Sequence, residues 1–321
     1  KKLIAFFGET KNIWRAEIHD LIKSGMKDEI ANEFISWRED FDINKMEQIL
    51  ETEKIKTISL GKSNYPKLLS EINDPPFVIF YRGNLGCINQ PTLAVVGTRK
   101  FSSYGKYACQ KIVGPLSAQG MTIVSGLAMG IDGIAHQTTL DNNGKTIAVL
   151  GSGINKQNIS PSVHFKLSEQ IIDSGGIVLS EYPPGTQPTR YTFPARNRII
   201  AGLSLGTLVI EAAAVSGALI TASCALDYNR EVFTIPHNLT SGTGVGCNEL
   251  IKKGAMAITE PEDITNNLNL VNLKQIVDNR KQLPNDEIEE KILTLLSNQP
   301  QHVDTLIKQA GLDSTTINGK L

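Results

Sequence analysis

Cysteine is scarce in this 321-residue chain, and its four copies, Cys87, Cys109, Cys224 and Cys247, lie far apart with no C-x-x-C and no histidine at ligand spacing. That pattern argues against a zinc site and a disulfide framework, and makes a reducing cytoplasm the simplest home. No metal and no cofactor are expected. Long hydrophobic runs are also missing: Gly, Thr or Ser interrupts every apolar stretch well before the roughly 18 to 20 residues of a membrane span, so no membrane partner is expected. The amino end, Lys1 to Glu9, has only a short apolar stretch and no small-residue cleavage site, which gives no export signal.

Several enzyme signatures fail as well. Gly144-Lys145-Thr146 looks like the end of a P-loop, but the upstream glycine position is Thr139 and the segment leads into a strand instead of a helix. Gly151-Ser152-Gly153 supplies two of three dinucleotide glycines, with Lys156 in the third place, and it follows the third strand instead of the first. There is no G-x-S-x-G elbow, no H-E-x-x-H helix and no carboxylate pair in a supporting context. No catalytic residue is expected.

What is present is ordinary globular material, 40% hydrophobic and 20% charged, in a length that fits one large core plus one or two smaller units. The net charge of -1 hides an uneven spread. Residues 1–55 hold 9 basic against 12 acidic residues, 56–283 hold 20 against 15, and 284–321 hold 3 against 6. The middle segment is therefore the basic one, and its surplus permits a polyanion groove without demanding it.

These boundaries match changes in pattern. Residues 1–55 read as short helices, with Ile13, Trp14, Ile18, Leu21 and Ile22 and then Phe34, Ile35, Trp37, Ile43, Met46, Ile49 and Leu50 at helical spacing. The two tryptophans fit its core better than a base-stacking platform. A Pro-marked connector at Tyr65-Pro66 and Asp74-Pro75-Pro76 leads to a short strand, Phe77 to Tyr81. From Leu93, six β-rich runs alternate with helical stretches: Leu93–Val96, Thr122–Val124, Thr146–Leu150, Ile177–Leu179, Thr207–Ile210 and Val232–Ile235. Such runs suit parallel strands buried on both faces, so 56–283 is expected to be an α/β domain with a doubly wound, mainly parallel Rossmann-like sheet. Residues 284–321 resemble the start of a winged helix, but their charge makes major-groove reading by this segment improbable.

Ligands of a doubly wound sheet bind at the carboxyl ends of its strands. After the first run, Gly97-Thr98-Arg99 brings backbone amides and a guanidinium to a helix start, a geometry suited to an anion. After the second, Ser125-Gly126 opens a Gly-rich turn in which Asp132 fits a helix cap better than a catalyst. His136 fits a structural role. Arg190-Tyr191-Thr192-Phe193-Pro194-Ala195-Arg196-Asn197-Arg198 is the densest basic stretch and holds two aromatic residues, the mixture that grips unpaired nucleic acid by phosphate and base face. Arg196 and Arg198, two apart, cannot share one helical face; either both act around the helix start or one is structural.

In order and spacing, Val96 to Arg99, Ser125 to Asp132, Ala135-His136, Leu179 to Gly185, Phe193 to Leu203 and Ser216 to Thr221 closely resemble the DNA-processing protein A family, DprA/Smf, over roughly residues 60 to 260. The resemblance implies an extended Rossmann fold with a small helical, SAM-like unit before it. It implies a homodimeric, non-enzymatic protein that binds single-stranded DNA, protects incoming strands during natural transformation and loads RecA recombinase onto them. It also implies a DNA pocket carried by Gly97, Thr98, Arg99, Ser125, Gly126, Phe193, Arg196, Asn197 and Arg198. This chain has Met129 where relatives commonly have a cation, and Ser160-Pro161-Ser162 in place of a Tyr-Pro-basic triplet; Lys156 and Lys166 flank that loop as substitutes. A rival reading is a nucleotide-cleaving phosphoribohydrolase on the same sheet. It requires a Pro-Gly-Gly-x-Gly-Thr-x-x-Glu turn, and the comparable region, Ala214 to Thr221, has no such glutamate.

Overall fold

The computed structural model describes residues 2–270, 273, 295, 303–314 and 316, and the chain divides into two compact units, Lys1–Lys54 and Ile55–Leu321. The first is helical: α1 (Lys2–Phe7), α2 (Thr10–Arg15), α3 (Ile18–Lys23), α4 (Asp28–Asp40) and α5 (Ile43–Thr52). Its buried centre is small, with Leu21, Ala31 and Ala16 surrounded by partly buried Ile13, Ile18, Ile22 and Phe34. The guanidinium of Arg38 donates to the carbonyls of Trp14 and Ala16, tying α4 to the end of α2. Trp14 meets Phe34, Trp37 and Phe41 edge to face, but Trp37 remains 52% exposed, so the tryptophans form an aromatic cluster at the surface and not a closed core.

The second unit is built on a sheet with nine strands among the described residues: β1 (Lys56–Ser59), β2 (Val78–Gly83), β3 (Thr92–Val96), β4 (Thr122–Ser125), β5 (Thr146–Val149), β6 (Ile177–Ser180), β7 (Gly206–Val209), β8 (Glu231–Thr234) and β9 (Met256–Ala257). Their order is β1-β2-β6-β5-β4-β3-β7-β8-β9; β2 pairs antiparallel with β1 and with β6, and every other pairing is parallel. All six expected runs are strands of the parallel part. The four-residue β1 and the two-residue β9 lie at the edges, where strands are short and lack the apolar pattern of the centre.

Helices cover both faces: α6 (Lys67–Ser70), α7 (Ser103–Ala118), α8 (Ile131–Asp141), α9 (Phe165–Asp173), α10 (Thr192–Gly202), α11 (Gly217–Asp227), α12 (Val245–Lys252) and α13 (Pro261–Asn267). Alternate residues of each strand point to opposite faces, and the packing follows that period. Ala94, Val96 and Val209 join Leu69, Ile199 and Ala222 on the face of α6, α10 and α11. Leu93, Val95, Leu208 and Phe233 join Ile112, Leu116 and Ile131 on the face of α7 and α8. The expected winged-helix-like character of 284–321 lies largely outside the described residues; within it, helix Val303–Ala310 buries Ala310 beside Leu295, Ile307 and Leu312.

Candidate nucleic-acid interface

The strand order reverses between β3 and β7, so the crevice of this sheet opens at their carboxyl ends. There the Thr98 amide donates to the Glu211 carbonyl at 2.7 Å, and the Thr98 carbonyl accepts from the Ile131 amide at 3.2 Å. The approach is close: Gly130 sits at φ +88°, and a Cβ on it would stand 2.3 Å from the Thr98 oxygen. Glycine is the residue that satisfies both conditions.

The amino end of α7, where a dinucleotide's phosphate would sit, is filled by the protein itself. The fully buried Glu211 accepts from the Ser102 amide at 2.9 Å through Oε2 and from the Thr243 hydroxyl through Oε1. Any side chain at Gly105 would collide with this carboxylate, since a Cβ would fall 2.0 Å from Oε2. The amide of the cap residue Ser102 thus has an internal anion as its partner, while the Gly105 amide donates to the Ser102 hydroxyl at 3.0 Å.

Beside this plug lies a cavity of about 600 Å³, walled by Gly97, Thr98 and Arg99 after β3, by Arg190, Phe193 and Asn197 at the start of α10, and by Ser216 and Gly217 before α11. Arg99 is exposed, with its guanidinium 5.5 Å from the centre of the half-buried Phe193 ring. That ring packs on the loop after β5, so closely that a Cβ at Gly151 would lie 2.9 Å from it. Arg190 is likewise exposed and stands 4.7 Å over the ring of Tyr191, which is 68% exposed. The motifs do not single out Arg190 for the pocket. The signal for it is its position two residues before α10, next to an aromatic.

Of the expected pocket residues, Gly97, Thr98, Arg99, Phe193, Arg196 and Asn197 come together on the cavity wall, and five others do not. Ser125 is fully buried and donates its hydroxyl to the Val95 carbonyl at 2.6 Å, which joins β4 to β3. Gly126 has the same internal role: a Cβ there would sit 2.5 Å from the Arg196 guanidinium and 2.7 Å from the Asp132 carboxylate. Arg198 is clamped by Glu181 through two hydrogen bonds, at 3.0 and 2.7 Å, and reaches Asp74 at 3.4 Å. Lys156 and Lys166 are exposed but do not line the cavity. Arg196 does line it, yet it is only 3% exposed, and its guanidinium donates to the carbonyls of Gly126, at 2.8 Å, and Val149. Arg196 and Arg198 thus both have protein partners, and Arg196 also reaches the cavity wall.

The polar interior around Arg196 explains its neighbours. Burial raises the Asp132 carboxyl above its ordinary range, while the nearby guanidinium and the Gly126 amide, donating at 3.1 Å, oppose that rise. Burial lowers the Arg196 guanidinium to about 10, which leaves it charged at neutral pH. His136 is fully buried and pushed down to about 3 by burial, with His164 and Arg196 adding to the effect. The Thr146 hydroxyl donates to the Ile123 carbonyl at 2.7 Å, so it accepts from His136 Nδ1–H at 2.7 Å, and Nε2 has no hydrogen-bond partner among the described residues. His164 Nδ1–H donates to the Leu127 carbonyl at 2.8 Å and pins the turn that carries the 47% exposed Met129.

The fold and cavity define a class: a Rossmann-like α/β protein with a carboxylate at its switch point beside a cationic, ring-lined cavity. Comparison with known proteins narrows this. A family model described as DNA recombination-mediator protein A matches residues 56–269. The chain is 46% identical to Protein Smf of Escherichia coli over 204 residues, which is 64% of this chain and 54% of that protein's length. It is 43% identical to DNA processing protein DprA of Streptococcus pneumoniae over 224 residues, 70% of this chain and 78% of the relative. Among solved structures it is similar to DNA processing protein A of S. pneumoniae, with a TM-score of 0.69, 37% identity and coverage of 83% of this chain and 92% of that one. It is also similar to the Helicobacter pylori protein described for its single-stranded DNA binding mode, with a TM-score of 0.60, 30% identity and coverage of 67% and 96%. The chain belongs to the DprA/Smf family.

Proposed function

We propose that this chain is a single-stranded DNA-binding recombination mediator that grips the strand in the cavity between β3 and α10. On this reading it protects incoming strands during natural transformation, loads RecA recombinase onto them, and works without catalysis as a homodimer in the cytoplasm. The observation that carries it is the pairing of Arg99 with the Phe193 ring across one cavity, with Arg190 on the same wall. Cations beside an aromatic face suit phosphate and base of an unpaired strand, whereas a stacked duplex offers no free base face. The similar H. pylori protein, described by its single-stranded DNA binding, supports the ligand, and the matched family's description supports the recombination role. The Glu211 carboxylate at the start of α7 argues against the phosphoribohydrolase alternative, because it takes the Ser102 amide and sets a negative charge where a nucleotide phosphate would approach. Four free cysteines agree with a reducing compartment.

Fluorescence anisotropy with matched single-stranded and duplex oligonucleotides, alongside a nucleotide-hydrolysis control, tests the reading. Tighter binding of the single strand, without hydrolysis, is expected. Equal affinity for both forms, or nucleotide turnover, overturns it. The motif residues alone suggest that about four phosphates are neutralised, which gives a log–log salt slope near -3; with Arg196 and Arg198 held internally, the two cavity arginines give about -1.4. Addition of RecA to the bound strand and sedimentation of the free protein test loading and dimerisation.

A further inference from the structure

Between Asp74 and Asp132 the sequence contains no carboxylate, yet it holds Arg82, Arg99, Lys100, Lys106 and Lys111. Arg82 is nearly buried and pairs with Glu169 at 2.8 Å. The other four are exposed, and none forms an ion pair among the described residues. They follow the chain out of the cavity wall at Arg99 and along the first turns of α7.

Three aromatic side chains run with them. Phe101, Tyr104 and Tyr107 are 43%, 48% and 62% exposed. Tyr104, Tyr107 and Lys111 share one helix face by their spacing of three and seven residues, a reach of about 10 Å along the axis. Tyr104 is held in place: its hydroxyl donates to the Pro236 carbonyl at 2.9 Å, and its ring meets His237 edge on at 5.1 Å. Lys111 donates to the Thr259 carbonyl at 3.4 Å, and the acidic turn Glu260, Glu262, Asp263 follows there, so the positive stretch ends at Lys111.

We propose that this face of α7 is a second strand-binding track, continuous with the cavity, on which bases stack against Phe101, Tyr104 and Tyr107 while Lys100 and Lys111 follow the phosphates; Lys106, two residues from Tyr104, lies off this face. The proposal rests on the single-strand reading of the cavity and extends it outward by the Arg99-Lys100-Phe101 connection. Alternating rings and uncompensated ammonium groups, with no carboxylate in the segment, fit an unpaired polynucleotide, since every base offers a face for stacking. A protein partner needs no such excess of one charge.

The test uses the whole chain and two labelled oligodeoxythymidylates, one of about 6 nucleotides to fill the cavity and one of about 15 to reach the track. For the unaltered protein, the long strand should bind tighter and show a salt slope of about -2.8, against about -1.4 for the short one, because two more phosphates are neutralised. The double variant Phe101→Ser, Tyr107→Ala should lose about tenfold or more in affinity for the long strand and leave the short strand unchanged. Tyr107→Phe should keep long-strand affinity. Photocrosslinking of a bromodeoxyuridine strand should mark Tyr104 or Tyr107. Equal salt slopes for the two lengths, or a double variant that binds the long strand normally, overturns the track while the cavity reading stands. Normal long-strand binding together with lost self-association would assign the face to a second copy of the chain, which overturns the track as well. Failure of the unaltered protein to bind either strand removes both readings.

Discussion

Four arginines within or beside the cavity divide into two pairs, and the division is one of wiring more than of distance. Arg99 and Arg190 are exposed, and each stands against an aromatic ring. Arg196 and Arg198, further into α10, spend their donors on carbonyls of β-strand ends and on the Glu181 carboxylate. The dense basic run thus keeps one arginine, Arg190, exposed and holds the other two against protein partners. A buried guanidinium must find all its partners inside, whereas an exposed one keeps water that a phosphate can displace.

The contrast predicts opposite phenotypes for the two pairs. Removal of Arg196 leaves the carbonyls of Gly126 and Val149 unpaired and Asp132 without its neighbouring charge. Arg196→Ala should therefore destabilise the fold by about 3 to 5 kcal/mol in urea unfolding, against about 0.5 or less for Arg99→Ala. Equal stability of the two variants would break the distinction.

The same interior should respond to acid while the rim does not. The folded value of His136, about 3, lies below its ordinary 6.5, so the unfolded chain takes up the proton first. The stability that the neutral ring contributes is whole above pH 6.5 and is lost as the pH falls toward 3, at up to about 1.4 kcal/mol per pH unit. His136→Gln should flatten that limb in unfolding curves measured from about pH 7 to 4; an unchanged slope would assign the acid sensitivity elsewhere.

On the rim, the expected effects are on binding. Phe193→Ala should cost about 1 to 3 kcal/mol in single-strand affinity if its ring accepts a base, with stability changing less. Arg99→Ala and Arg190→Ala should each weaken binding across all base sequences and lower the salt slope by about 0.7. The smallest change is expected from Lys156→Ala combined with Lys166→Ala. Neither side chain lines the cavity, and a substantial loss of affinity would extend the interface to the loop after β5.

Much of the fold was legible. The six central strands carry uninterrupted apolar runs because both faces of a parallel sheet are buried, and that signal is local. β1, Lys56-Thr57-Ile58-Ser59, carries no such run, and Met256-Ala257 is too short to show a period. The placement of Gly97-Thr98-Arg99 and Phe193 on the cavity wall was legible, because a strand end and a helix start position them directly. Placement was not legible where it depends on a partner remote in sequence. Ser125 is defined by the Val95 carbonyl 30 residues away, Arg198 by Glu181 and Asp74, and Arg196 by two strand ends. Spacing warned that the α10 arginines could not share one face, but only the fold shows that both turn inward.

The carboxylate of Glu211, bonded to the Ser102 amide at the start of α7, gives the chain an internal ligand there. The backbone carbonyl of the same residue holds the Thr98 amide, so one glutamate braces the chain on both sides of Arg99 and a change at position 211 should be felt at the rim without touching it.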